Sequence, residues 1–370
     1  MNLPRHLYSL DIARGLAAFA VVFWHWQHFF FEGGTPDSGF ERDGQPFYLW
    51  LRPLYEFGYH AVPFFFLLSG FVFFWLYRES VESGRCSARA FAVLRFARLY
   101  PLHLATLILV LLLQGAFSKI IGGYFVYAYN DFYHFLLQIL FISHWGFEKG
   151  HSFNAPVWSV SIEVGLYGIF FVYCLIKASN PGKLLTALLL VAVFLIADPA
   201  SRWLPAMLAF FIGGLTFELT RTYLRTGSRK LDVPIALTAS VAWACALSSE
   251  TLLISRHLTI VTLFPLSVAA LVIAETRLPV NLSAFAWIGN ISYSVYLLHF
   301  PLQIMFVIMV STLGHGRDAF NSPVILLLFF LVLLIASLMS YNFYEVPLRK
   351  GIRSRFLKER FSRTAGSPPS

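Results

Sequence analysis

Two side chains that could do chemistry sit where chemistry is costly to place. The stretch Leu10–Phe31, LDIARGLAAFAVVFWHWQHFFF, is long enough to cross a bilayer and yet holds Arg14 and His25. A hydrocarbon core of about 30 Å takes roughly 20 apolar residues in a helix. An ionisable group near its centre costs about 2.5–3.5 kcal/mol or more, so it faces the bundle interior and marks a function. The spacing from Arg14 to His25 is about three helical turns, which puts both on nearly one face, roughly 16 Å apart. That face carries a fixed cation near one membrane surface and a titratable imidazole deeper in. An imidazole is the usual general base near neutrality and can itself carry an acyl group. The structural alternative is a hydrogen-bonded histidine packed among Trp24, Trp26 and His28.

Glu163, in VWSVSIEVGLYGIFF, is the second candidate, because a carboxylate inside a membrane helix needs a partner. It lies roughly 9 Å below the outer surface and His25 about 8 Å below it, so the two depths match. A carboxylate accepting from the imidazole Nδ1–H would fix the tautomer and stabilise the imidazolium; a structural ion pair with an arginine is the alternative. His299, in SYSVYLLHFP, reaches a similar height and is expected to line the same cavity, together with Trp158 and Ser159 at the outer end of the Glu163 helix. Arg95 and Arg98, in RFARLYP, share a helical face at the inner surface. Their guanidinium forks suit phosphates, although charges in that place also hold a loop inside and meet lipid headgroups. Ser69 and Gly70, in the inner half of the second helix, are small enough to let a thin ligand pass.

The elements that must position these residues follow from composition. Of 370 residues, 58% are hydrophobic and 13% charged, about half the charge of a soluble domain. This is an all-α polytopic membrane protein. The net charge of +9 does not imply nucleic acid, because the basic residues fall in short loops and a tail between apolar segments. Cys86, Cys174 and Cys245 form no motif, so neither a disulfide framework nor a metal site is expected. Apolar segments at about 10–31, 57–77, 99–117, 157–176, 184–198, 203–219, 233–247, 257–274, 285–310 and 323–343 give about ten transmembrane helices. The segment near 131–146 is too short to span and is expected to be re-entrant or interfacial. With both termini inside, twenty of the 28 lysines and arginines fall inside and seven outside. Residues 1–348 form the transmembrane domain, and 349–370 a basic tail expected to be partly disordered.

These residues resemble the acyltransferase 3 family of membrane proteins. Arg14 and His25 match its R-x10-H pattern in the first helix, and LLSGFVFF, RFARLYP, APVWSVSIEVGLY, IGNISYSVYLLHFP and FYEVP resemble its blocks in order, over about residues 7–350. Where the family's fourth-helix block often carries two adjacent acids, this chain has Glu163 followed by Val164. The resemblance implies a ten-helix fold with both ends in the cytoplasm of a bacterial inner membrane. It also implies transfer of an acyl group, most often acetyl from acetyl-CoA, to a hydroxyl of an extracytoplasmic or lipid-linked carbohydrate. On that reading Arg95, Arg98 and Arg14 meet the coenzyme's phosphates, Ser69 and Gly70 flank its arm, and His25 with Glu163 acts as base or acyl carrier. The competing class is a transporter or flippase of a lipid-linked sugar or small metabolite, using the intramembrane Arg, His and Glu as its pathway. Against it, the sequence carries no inverted repeat.

Overall fold

The computed structural model describes residues 4, 6–32, 34–176, 181–198, 201–249 and 256–357. Helix α1, Tyr8–His25, tightens at its end into a 3-10 turn, Trp26–Phe30. Its start is capped from far away in the chain. The Glu275 carboxylate accepts from the Tyr8 and Ser9 backbone N–H groups at 2.8 and 2.9 Å, satisfying donors that no residue at the helix start reaches. A two-residue antiparallel ladder (β1, Phe31–Glu32; β2, Thr35–Pro36) pairs Phe31 with Pro36. A short amphipathic helix α2, Tyr48–Phe57, then leads into α3, Ala61–Leu76.

Helix α3 positions both halves of the site. Val62, Phe66, Ser69 and Phe73 recur at helical spacing along one face that lines cavities. The opposite face lies against α9, Trp203–Arg225, at backbone distance. A Cβ on Gly70 would lie 1.8 Å from the Phe210 carbonyl oxygen, and one on Gly213 1.9 Å from that of Leu67. Two glycines therefore permit this crossing, the close approach that small residues give helices in membranes.

A five-residue helix α4, Arg78–Glu82, precedes α5, Ala88–Ile120, which starts well before the expected Leu99. Ser87 caps it, accepting from the Ala90 N–H at 3.2 Å, so Arg95 and Arg98 ride on regular helix rather than at a loop edge. Helix α6, Phe132–Ile139, capped by Asp131, has eight residues, about 12 Å of rise, and cannot cross a bilayer. Helices α7 (Trp158–Leu175), α8 (Pro181–Ala197) and α10 (Asp232–Ser249) follow, then a π-helical turn at Thr259–Leu263 that leads into α11, Phe264–Arg277.

The segment expected as one helix over 285–310 is broken at Ile291, giving a short helix Ala286–Asn290 and α12, Ser292–Thr312. Within α12, Pro301 has no N–H to give the Leu297 carbonyl. Asn154, fully buried, supplies it from Nδ2 at 3.0 Å. Helix α13, Pro323–Met339, passes through a π-helical stretch, Ser340–Glu345, into α14, Val346–Phe356. The tail expected to begin at 349 is thus helical to Phe356; residues 358–370 lie outside the described residues.

Among the described residues, seven segments are long and apolar enough to cross a membrane. The three further spans expected from sequence correspond to α1, α8 and α10. Asp11, Arg14 and His25 dilute the apolarity of α1, and the apolar runs of α8 and α10 are shorter. The molecule is a multi-pass membrane protein with two main cores, one centred on α3, α7 and α9, the other on α1, α12 and α13.

Candidate active site

Two cavities lie back to back. The one at the basic end of the bundle is lined by Arg14, Arg95, Arg98, Ser69, Glu163, Ser159 and Tyr293 among others, and encloses about 820 Å³ of space counting its mouth. The second, about 630 Å³ on the same measure, is lined by His25, Trp24, Tyr59, Trp158 and Arg202 among others. Val62, Phe66 and Tyr296 line both, so these three side chains form a shared wall. Tyr296 is held in that wall by donating to the Pro156 carbonyl at 2.7 Å and by the Ser159 hydroxyl at 2.7 Å.

The expected pairing of His25 with Glu163 is not formed. His25 Nδ1 instead lies 3.0 Å from Nε2 of His299, with the rings nearly parallel. His299 is fully buried behind His25 and lines neither cavity, which corrects its expected place in the substrate wall. Glu163 accepts from the Ser69 hydroxyl, on the far side of the wall, where Tyr167 also lines the cavity. Matching depths brought these residues to one height; depth does not fix the direction in which a helix presents a side chain.

Two tautomers of the histidine pair are possible, because His299 Nδ1 is buried without a hydrogen bond. In one of them His25 Nδ1 donates to His299 Nε2, and the lone pair of His25 lies on its own Nε2. Gln303, one turn beyond His299 on α12, donates to the His25 carbonyl at 2.7 Å and takes the His28 ring at 3.4 Å. Two successive turns of α12 thus hold the ring and the backbone of His25.

Arg14 is clamped as well as cavity-lining. It pairs with Asp11 at 2.7 Å and donates to Ser292 and to the Gly289 carbonyl, each at 3.1 Å. Arg95 donates to Tyr77 and lies over the Phe73 and Tyr77 rings. Gly70 is not in the cavity wall; its surface is taken up by the α9 crossing. Trp158 lines the His25 cavity, whereas Ser159 faces the arginine cavity.

Over the His25 cavity, the loop between α6 and α7 brings His144 and His151 to Arg202. Arg202 donates to His151 Nε2 at 3.0 Å and lies 5.3 Å from the centre of the Trp158 ring. Burial, with the nearby Arg202 charge, pushes His151 down to about 4, so it is a neutral acceptor near neutral pH. The loop is bracketed by Phe141 and Phe153, both with left-handed backbone (φ 58° and 47°), a conformation costly for a bulky residue. Sequence reasoning missed Arg202, Tyr59, Tyr296 and Gln303, since none is an ionisable residue inside an apolar run. No cluster of His, Cys, Asp or Glu among the described residues could hold a metal.

The acyltransferase-domain family matches residues 7–341. An acyltransferase, MdmB, of Streptomyces mycarofaciens is 25% identical over 288 residues, 70% of this chain and 72% of that protein. Protein 2 in the picA locus of Rhizobium radiobacter is 35% identical over 107 residues, 29% of this chain and 45% of that one. No solved structure matches.

Proposed function

This chain belongs to the acyltransferase 3 family and is an acyltransferase, and we propose that it moves an acetyl group from acetyl-CoA, bound at the basic end, to a carbohydrate hydroxyl in the His25 cavity. The basic end faces the cytoplasm on this reading, in a bacterial inner membrane, and the acceptor is extracytoplasmic or lipid-linked. The observation that carries it is the pair of back-to-back cavities. One is lined by arginines suited to phosphate, the other by the His25 imidazole, and a wall of three side chains separates them.

The donor's phosphates meet Arg95 and Arg98, with Arg14 deeper in. Its arm passes Ser69, Glu163 and Ser159, whose hydroxyls and carboxylate suit amide groups. The thioester then passes between Val62, Phe66 and Tyr296. Across the wall, the flat faces of Trp24, Tyr59 and Trp158 suit the C–H face of a sugar ring. His25 Nε2 takes the proton of the acceptor hydroxyl as its oxygen attacks the thioester carbonyl. The C–S bond then breaks, and the same nitrogen returns the proton to the departing thiolate. His299 Nε2 accepts from Nδ1–H throughout, which keeps the lone pair on the cavity side. Carriage of the acetyl on Nε2 uses the same tautomer.

The test is transfer of radiolabel from acetyl-CoA into envelope glycan by membranes holding equal amounts of wild type or His25→Ala. A general base contributes typically 10²- to 10⁴-fold, so a loss of about that size is expected. An unchanged rate in the variant would remove His25 from the mechanism.

A further inference from the structure

The last helix carries cations that the donor site above does not use. Helix α14 lies beyond the segment matched by the acyltransferase family, which ends at residue 341. It packs against α5. Tyr344 donates to the Pro101 carbonyl at 3.1 Å, and Leu357 packs against the core at the other end. The two helices run antiparallel from that bond. Five residues on from Tyr344, about 7.5 Å, Arg349 stands level with the Arg95–Arg98 turn, and Arg353 follows one turn later on the same face.

Electrostatics agree with that register. Arg353 lies within interaction range of Arg349, Arg95 and Arg98, and Glu345 within range of Arg98 and Arg349. Three other arginines at this end have carboxylates: Arg78 has Glu218, Arg221 has Glu79 and Arg277 has Asp232. Among the described residues, none of Arg95, Arg98, Arg349 and Arg353 makes an ion pair, and the Nε atoms of Arg95 and Arg353 are buried with no hydrogen-bond partner. Of the carboxylates near them, Glu345 is turned to Ser294 and Ser340, and Glu163 to Ser69. Four gathered guanidinium groups that make no ion pair repel one another, and an anion between them would relieve that repulsion.

We infer that Arg349 and Arg353 complete, with Arg95 and Arg98, a cradle for the phosphate groups of the donor's nucleotide end. This rests on the acetyl-CoA reading above. The shared chemistry is phosphate, and a lipid headgroup is the other source of it. Nucleotide is favoured because two members of the cradle, Arg95 and Arg98, line the cavity that also holds Ser69 and Glu163.

The experiment is calorimetric titration of the full chain in nanodiscs with CoA and, separately, with pantetheine, which lacks the nucleotide. Wild type is expected to bind CoA more tightly. Arg349→Ala/Arg353→Ala is expected to lose about tenfold or more for CoA, the scale of one charge-assisted contact, while pantetheine binding stays unchanged and reports an intact cavity. Undiminished CoA affinity in the double variant overturns the inference. Should that variant lose pantetheine too, Arg349→Gln and Arg353→Gln repeat the comparison singly, and full CoA affinity in both overturns it. If CoA affinity is kept and the variants lose instead a preference for phosphatidylglycerol over phosphatidylcholine discs, the phosphate is a headgroup and the nucleotide assignment fails. Wild type that binds neither CoA nor pantetheine defeats the donor reading itself.

Discussion

His299→Leu removes the acceptor from His25 Nδ1–H and keeps most of the buried volume. His299 is fully buried and its Nε2 lies 3.0 Å from that nitrogen, so no water replaces it. His25 then either leaves a buried N–H unsatisfied or moves its proton to Nε2, where it blocks the lone pair that faces the cavity. An unsatisfied buried donor costs about 1–3 kcal/mol. At 1.36 kcal/mol per tenfold, kcat falls by about 5- to 150-fold, with little change in KM for acetyl-CoA, whose proposed contacts lie across the wall. His299→Gln offers Oε1 to the same N–H and is expected to recover most of the loss. The assay is label transfer from acetyl-CoA into envelope glycan at matched protein abundance. Leu and Gln variants that lose equal activity would show that volume, not hydrogen-bond acceptance, is what matters at 299. A Leu variant with wild-type kcat would refute the tautomer argument outright.

Other perturbations separate positioning from packing. Gly213→Ala drives a methyl to 1.9 Å from the Leu67 carbonyl oxygen, so α3 and α9 must part; overpacking of this kind costs about 1–3 kcal/mol, seen as a lower melting temperature in detergent. Glu275→Ala strips the acceptor from two N–H groups at the start of α1 and is expected to cost about 1 kcal/mol or more, read as faster amide exchange at Tyr8 and Ser9. His151 is held at about 4 in the fold against about 6.5 in an unfolded chain, so its neutral form stabilises the loop above pH 6.5 and that stability is lost as pH falls toward 4. Exchange protection across residues 141–153 should fall over that window; His144 in the same loop, lowered to about 2, adds to the fall, so His151→Gln should lessen the dependence rather than abolish it, and a flat wild-type profile would contradict the Arg202–His151 contact.

Much of the site could be read from residue types alone, because a charge inside an apolar run is conspicuous. Arg14, His25, Glu163, Arg95 and Arg98 all line cavities, as their types and heights suggested. Azimuth could not be read. Glu163 and His25, expected at similar depth, line different cavities on opposite sides of a wall, and His299 lies behind His25 rather than beside it. Gly70 shows a second limit: a small residue looks the same in sequence whether the space beside it is for a ligand or for a neighbouring backbone, and here Phe210 fills it. The third helix was expected from about residue 99, and the stretch after 348 as a partly disordered basic tail. Residues 88–98 and the stretch after 348 are both helix, from Ala88 and through Phe356, since neither has a proline or an internal glycine run to break it, and arginine itself favours helix.

Val62, Phe66 and Tyr296 have one more consequence. A protein hollowed from both faces is close to being a channel, and a proton or sodium ion crossing it would run down the membrane potential without doing work. Two hydrocarbon side chains and a phenol whose hydroxyl is already committed to Pro156 give water little to hydrogen-bond across the wall. The catalyst therefore doubles as electrical insulation. Trimming Phe66 to make room for a longer acyl chain would trade selectivity for leakage, and cells bearing such a variant would report it as lost membrane potential.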